Sequence, residues 1–216
     1  MATGHADNKE NAYMINLEER LEKNPNDIEA LIHKAVMLYE PYHQFDHAEI
    51  ILTKVRELFP QSIEGLLWSG ALRYFIYGND VEAAEYFRQA LTLDPNAADS
   101  HAFLAVMLES IKNIVPGDIE YHYRKSFELE PTFINPRLYL ARYLFEQGNL
   151  KVARYELLET LKFVEDPPSS IGNPVTKYYE SYITGRCWTN RKQEILDFIQ
   201  KIDVAEAAVK IDSKDS

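Results

Sequence analysis

The chain has 216 residues, 46% of them apolar and 26% charged, a balance that supports a packed, soluble fold and excludes a disordered one. Its 34 acidic against 23 basic residues leave a net charge of −11, the wrong sign for nucleic acid or an anionic membrane surface, both of which need a basic footprint. A single cysteine, Cys187, excludes an internal disulfide and a cysteine-rich zinc site. No run approaches the roughly 18 apolar residues of a membrane span. The first residues lack the basic and apolar regions of a secretory signal, so the cytoplasm is the expected compartment.

Residues 1–10 are polar and read as a flexible N-terminus. From Asn11 to Lys23 a helix is expected, with Ile15, Leu17 and Leu21 turned inward, and Asn24-Pro25-Asn26-Asp27 stops it. The stretch 63–95 shows the pattern of the rest. Its first half is an apolar helical stripe that includes the small residue Gly70. Gly78, Asn79 and Asp80 break that helix and cap the next. Ala83, Phe87 and Ala90 then fall at i, i+4 and i+7, and Asp94-Pro95 ends the second helix, because the residue before a proline is driven out of helical geometry. Two short helices joined by a tight turn cannot bury this much apolar surface alone; they need neighbours of the same kind.

Such neighbours recur along the chain. Pro25, Pro60, Pro95 and Pro131 are 35, 35 and 36 residues apart, and the small residues Ala35, Gly70, Ala105 and Ala141 keep the same step. Small residues belong there because the paired helices approach closely. The second helices carry Ala48/Leu52/Val55, Ala83/Phe87/Ala90, Ile119/Tyr123/Ser126 and Ala153/Leu157/Thr160. The third follows the longest turn, Lys112 to Asp118, and the fourth has Gly148-Asn149 at its turn. Residues 165–174, EDPPSSIGNP, read as a loop. Beyond it Tyr178, Tyr182, Gly185 and Trp188 suit another first helix, and Ile195, Ile199 and Ile202 another second one. Alternatively Gly185 is the stop of a helix over 174–184 with Pro174 in its first turn. Residues 205–216 read as a polar tail.

These features resemble the tetratricopeptide repeat (TPR), whose pattern is W-x2-L-G-x2-Y, then A-x3-F, then P at a period near 34. Leu66 stands at the tryptophan, Gly70 at the glycine, Ala83 and Phe87 at A-x3-F and Pro95 at the proline; Ser69 and Arg73 depart from the leucine and tyrosine. The resemblance implies an all-α fold, a right-handed α-solenoid of about four helix-turn-helix units with capping helices at both ends. The units would be 28–60, 63–95, 98–131 and 134–165, with a degenerate hairpin at 174–204, all in one domain over 11–204.

The resemblance also implies that the first helices line a concave groove for a peptide or helix. Its first row would be Glu29, Glu64, Asp99 and Asn135, and its second Ile32, Leu67, Ala102 and Leu138. A third row would be His33, Trp68, Phe103 and Tyr139, and a fourth Val36, Ala71, Val106 and Arg142, with Tyr39, Tyr74, Phe75 and Phe145 further along. The acidic first row favours lysine or arginine on a partner. The other rows favour apolar side chains, with aromatic anchors. The competing reading packs many of these residues between helices. Some TPR co-chaperones clamp a terminal carboxylate with Lys, Asn and Arg. The corresponding residues here, Ile32, Val36, Trp68, Asp99 and Phe103, cannot donate a charged hydrogen bond, so that function is excluded.

Chemistry is poorly represented. His43 and His47 are four apart, but Pro41 and an inter-helix turn interrupt the helix that a two-histidine metal face would need. His101 and His122 have no evident partner, and Cys187 has no evident base. Glu82/Glu85 and Glu128/Glu130 are ordinary helix surface charge. No phosphate-binding glycine loop and no nucleophile elbow is present. The expectation is a non-enzyme without metal or cofactor: a scaffold, adaptor or chaperone for a basic or amphipathic protein segment, resembling the acidic TPR-built chaperones of bacterial secretion systems. The alternative is an immunity or inhibitor protein that occludes a basic toxin or enzyme. Homo-oligomerisation is left open.

Overall fold

The structure is a computed structural model that describes residues 6–39, 42–131, 133–165 and 191–212, and over these residues it is helical, with no strand. The elements are α1 (Ala6–Lys23), α2 (Ile28–Tyr39), α3 (Phe45–Leu58), α4 (Ile63–Phe75), α5 (Asp80–Leu93), α6 (Ala98–Ser110), α7 (Pro116–Leu129), α8 (Ile134–Glu146), α9 (Leu150–Glu165) and α10 (Lys192–Asp212). The first helices of the pairs start at Ile28, Ile63, Ala98 and Ile134, the same step as the prolines. Local chemistry sets these boundaries. The Ser62 hydroxyl accepts from the Gly65 amide at 3.0 Å to start α4. Gly78 (φ +58°) turns the chain out of α4, and Asn79 accepts from the Glu82 amide at 3.1 Å to start α5. Asp27 accepts from the Ala30 amide at 3.1 Å to start α2.

The chain divides into two compact units, Met1–Asn96 and Ala97–Ser216. In the first, α2 packs on α3 and α4 on α5, with α1 against α2 and α3 against α4. In the second, α6 packs on α7, α8 on α9, α7 on α8 and α10 on α9. The small residues do what a close approach demands. A Cβ added to Gly70 would meet the Phe87 ring at 2.7 Å, and Ala35, Ala105 and Ala141 are buried. Phe87, Tyr123 and Leu157, the middle residues of three second-helix triplets, are fully buried. Burial of such side chains stabilises by about 1.5–3 kcal/mol each.

Local expectations are adjusted in four helices. Helix α1 begins at Ala6 rather than Asn11, so part of the segment expected to be flexible is helical. Leu17 is fully buried and Leu21 half-buried, but Ile15 is 56% exposed. Residues two apart on a helix point about 200° away from each other, so Ile15 and Leu17 cannot share a face. Helix α7 starts at Pro116, inside the expected turn, because proline is well suited to a first helical position. Helix α10 runs on to Asp212 through good helix formers, Ala205 to Ala208, so the tail expected from 205 is helical to that point. Glu165, expected to open the loop at 165–174, instead ends α9; the rest of that loop, the Tyr178/Tyr182/Gly185 helix, Cys187 and Trp188 lie outside the described residues.

Candidate partner-binding surface

In the first unit the stations of α2 and α4 come together. Val36 and Tyr39 meet Trp68, Ala71 and Leu72 around a void of about 10 Å³, too small for a ligand. Trp68 is 5% exposed, and Ile32, Val36, Leu67 and Ala71 are buried with it. Nearer the surface are Glu29, His33, Glu64 and Tyr74, and Phe75 is 39% exposed. The Tyr13 hydroxyl lies 2.6 Å from His33 Nδ1, and Arg20 pairs with Glu29 at 2.8 Å and Asp27 at 2.9 Å. Burial pushes the Glu64 carboxyl above the usual carboxylate range; His33 opposes the rise and Glu29 adds to it.

In the second unit Asp99 is 6% exposed, and its Oδ1 is buried without a hydrogen-bond partner among the described residues. Burial, with Glu130 adding, pushes its pKa up to about 7. Asn135 is buried and accepts a hydrogen bond from Arg191 through Oδ1. Ala102 and Leu138 are buried, while Phe103, Val106, Tyr139 and Phe145 are half-buried. Arg142 is exposed, pairs with Glu109 at 3.2 Å and lies over the Tyr139 ring at 5.4 Å. Glu109 also accepts from the Tyr123 hydroxyl. Leu138, Tyr139, Arg142 and Phe145 share one wall of a cleft of about 520 Å³, closed on its other side by α10. The α10 residues Phe198 and Lys201, with Arg191 just before it, were not among the expected stations. The Ile195/Ile199/Ile202 stripe marks the buried face of this helix, and Phe198, three residues after Ile195, flanks it.

The chemistry candidates resolve simply. His101 and His122 find each other, Nδ1 to Nδ1 at 2.7 Å, with His101 buried. His43, in the α2–α3 turn, and His47, in the first turn of α3, are both exposed, and Pro41 lies outside the described residues. Among the described residues no group of three His, Cys, Asp or Glu side chains could hold a metal ion. No described helix is long and apolar enough to cross a membrane.

Paired helices at this spacing, with a small residue of the first packed on the second, define a TPR-type α-solenoid fold. Solved structures bear this out. The thermophilic TPR protein TTC0263 of Thermus thermophilus is similar over 77% of this chain and 87% of its own, with 20% identity and a TM-score of 0.62. YrrB, described as a TPR protein with an unusual peptide-binding site, matches 92% of this chain and 97% of its own at 19% identity and a TM-score of 0.57. Yeast Tom70 matches 93% of this chain, which spans 38% of Tom70, at 14% identity and a TM-score of 0.66. At these identities the likeness is one of fold. No family model and no curated protein matches the sequence.

Proposed function

We propose that the chain is a protein-interaction scaffold, an adaptor or chaperone that holds a basic or amphipathic segment of another protein along its first helices. The observation that carries this reading is Asp99, buried with a carboxyl oxygen that has no hydrogen-bond partner among the described residues. A polar group in that state costs free energy until a donor reaches it. A lysine or arginine from a partner is such a donor, and it would find the half-buried Phe103 and Val106 on the same helix for its apolar neighbours. Glu64 offers a second half-buried carboxyl in the first unit. The peptide-binding site ascribed to YrrB is a precedent for this use of the fold.

The test is affinity capture from the native host, followed by binding of a short synthetic fragment of the captured protein. The fragment should bind, and Asp99→Asn or Phe103→Ala should weaken it by about tenfold or more, the scale of an interface anchor. If only the folded target binds, with an on-rate that falls steeply as salt rises, the chain is an occluding inhibitor or immunity protein. The net charge of −11 would then be its steering field.

A further inference from the structure

The cleft between α8 and α10 in the second unit is apolar at its floor and aromatic on both walls. Leu138, Leu157 and Ile195, each buried, make the floor. Tyr139 and Phe145 stand on α8 and Phe198 on α10, with the two phenylalanines edge to face at 5.5 Å. Its volume, about 520 Å³, is in the range of ligand-holding clefts. Rigid rings over an aliphatic floor suit a bulky apolar side chain.

Charge decides what can flank that side chain. Both arginines of the lining are already answered. Arg142 pairs with Glu109 at 3.2 Å, and Glu146, one turn further along α8, acts on the same guanidinium. Arg191 is 7% exposed, donates to Asn135 and pairs with Glu194 at 3.7 Å. The remaining cation, Lys201, rests 4.9 Å over the Phe145 ring and 5.9 Å over Phe198. Glu109, Glu146, Glu194 and Asp197 thus outnumber Arg142, Arg191 and Lys201 by four to three. Glu146 on α8 and Asp197 on α10 are exposed and make no ion pair among the described residues; Asp197 accepts only from the Gln193 amide, at 2.7 Å. Two uncommitted carboxylates therefore border the apolar space from opposite walls, and the net charge of −11 adds to their field. Lys201 shows in addition that an ammonium rests well against the aromatic wall.

We infer that this cleft anchors a bulky apolar side chain of a partner segment that carries a lysine or arginine beside it in sequence. The apolar side chain fills the space between Phe145, Phe198 and the floor, and the cation reaches Glu146 or Asp197 at the rim. This rests on the scaffold reading above and deepens it. The basic, amphipathic segment gains an anchor point apart from Asp99, and α10 rather than a first helix supplies half of it.

The test uses the full chain and three blocked tripeptides, acetyl-Leu-Phe-Lys-amide, acetyl-Leu-Phe-Gln-amide and acetyl-Leu-Phe-Glu-amide, titrated by amide NMR. The Lys peptide should shift the amides of Ile195, Phe198 and Lys201 and bind about tenfold more tightly than the Glu peptide, with the Gln peptide between them. Glu146→Gln combined with Asp197→Asn, both at exposed positions, should remove most of that preference without changing the melting temperature. Lys201→Met takes away the resident cation, so it should strengthen the Lys peptide and leave the order of the three unchanged. Phe198→Ala should weaken all three. Equal binding of the three, tighter binding of the Glu peptide, a Lys201→Met variant that loses the Lys peptide, or no binding at millimolar peptide would overturn the assignment. Shifts confined to Phe103 and Val106 would overturn it too and leave the scaffold reading standing. Asp99→Asn tested against the captured fragment reports on the scaffold reading alone, so either idea can fail without the other.

Discussion

An aspartic acid in an unfolded chain gives up its proton near 3.8, whereas at Asp99 burial holds it to about 7. Between those values the folded chain keeps a proton that the unfolded chain has released. The contribution of this group to stability is therefore fully present below about pH 4 and is lost as pH rises towards 7. The span corresponds to a loss on the order of 4 kcal/mol. Asp99→Asn keeps the shape and removes the titration. Its melting temperature should match the parent at pH 4 and exceed it at pH 8; curves that stay parallel across that range would contradict a buried, unpartnered carboxyl. Gly70 makes the opposite kind of argument, from space alone. A Cβ there meets the fully buried Phe87 ring at 2.7 Å and 2.8 Å. Replacing glycine in a helix gains up to about 1 kcal/mol of propensity, so a loss in Gly70→Leu isolates packing. The expected loss is about 1–3 kcal/mol or more, read by urea unfolding.

At the level of elements, Glu156 joins three helices. It projects from α9, is 2% exposed, and receives Arg124 of α7 at 2.7 Å and Arg137 of α8 at 3.6 Å. Losing one member of a fully buried ion pair costs about 3–5 kcal/mol. Here the arginines are partly exposed and can rehydrate, so Glu156→Gln should cost less, about 1–3 kcal/mol in urea unfolding. No change would mean that water already screens the pair. The sequence could not disclose this strap, because its members are separated by 32 residues and by 19, and each alone looks like ordinary surface charge. The same holds for His101 and His122, which meet across 21 residues. The helices themselves were legible because their signals are local: Asn79 starts one, prolines end them, and Gly70 keeps step with Ala35, Ala105 and Ala141. The site was less so. A stripe such as Ile32, Val36, Leu67 and Trp68 has the same spacing whether it faces a partner or the next helix, and only the packing around Trp68 distinguishes the two.

For the molecule as a whole, a stack of helical pairs has an open end wherever it stops, and the last apolar face must be covered. In the second unit α10 covers α9. Ile195 and Ile202 are fully buried and Ile199 is 8% exposed, a stripe visible in the sequence by its i, i+4, i+7 spacing. The ion pairs Lys192–Glu165 at 2.8 Å and Arg154–Asp203 at 2.9 Å lie at the surface and contribute little. Burial of the three isoleucines, at about 1.5–3 kcal/mol each, supplies most of what α10 adds, on the order of 5 kcal/mol. A chain ended at Glu165 should therefore melt at a lower temperature and bind a hydrophobic dye that the full chain does not. The triple substitution of Ile195, Ile199 and Ile202 by Ala should reproduce most of the loss in the full-length chain. Replacing Lys192 and Arg154 by Gln should not. If the charge substitutions reproduce the loss and the isoleucine ones do not, α10 is held by its surface pairs and the packing account of this end is wrong.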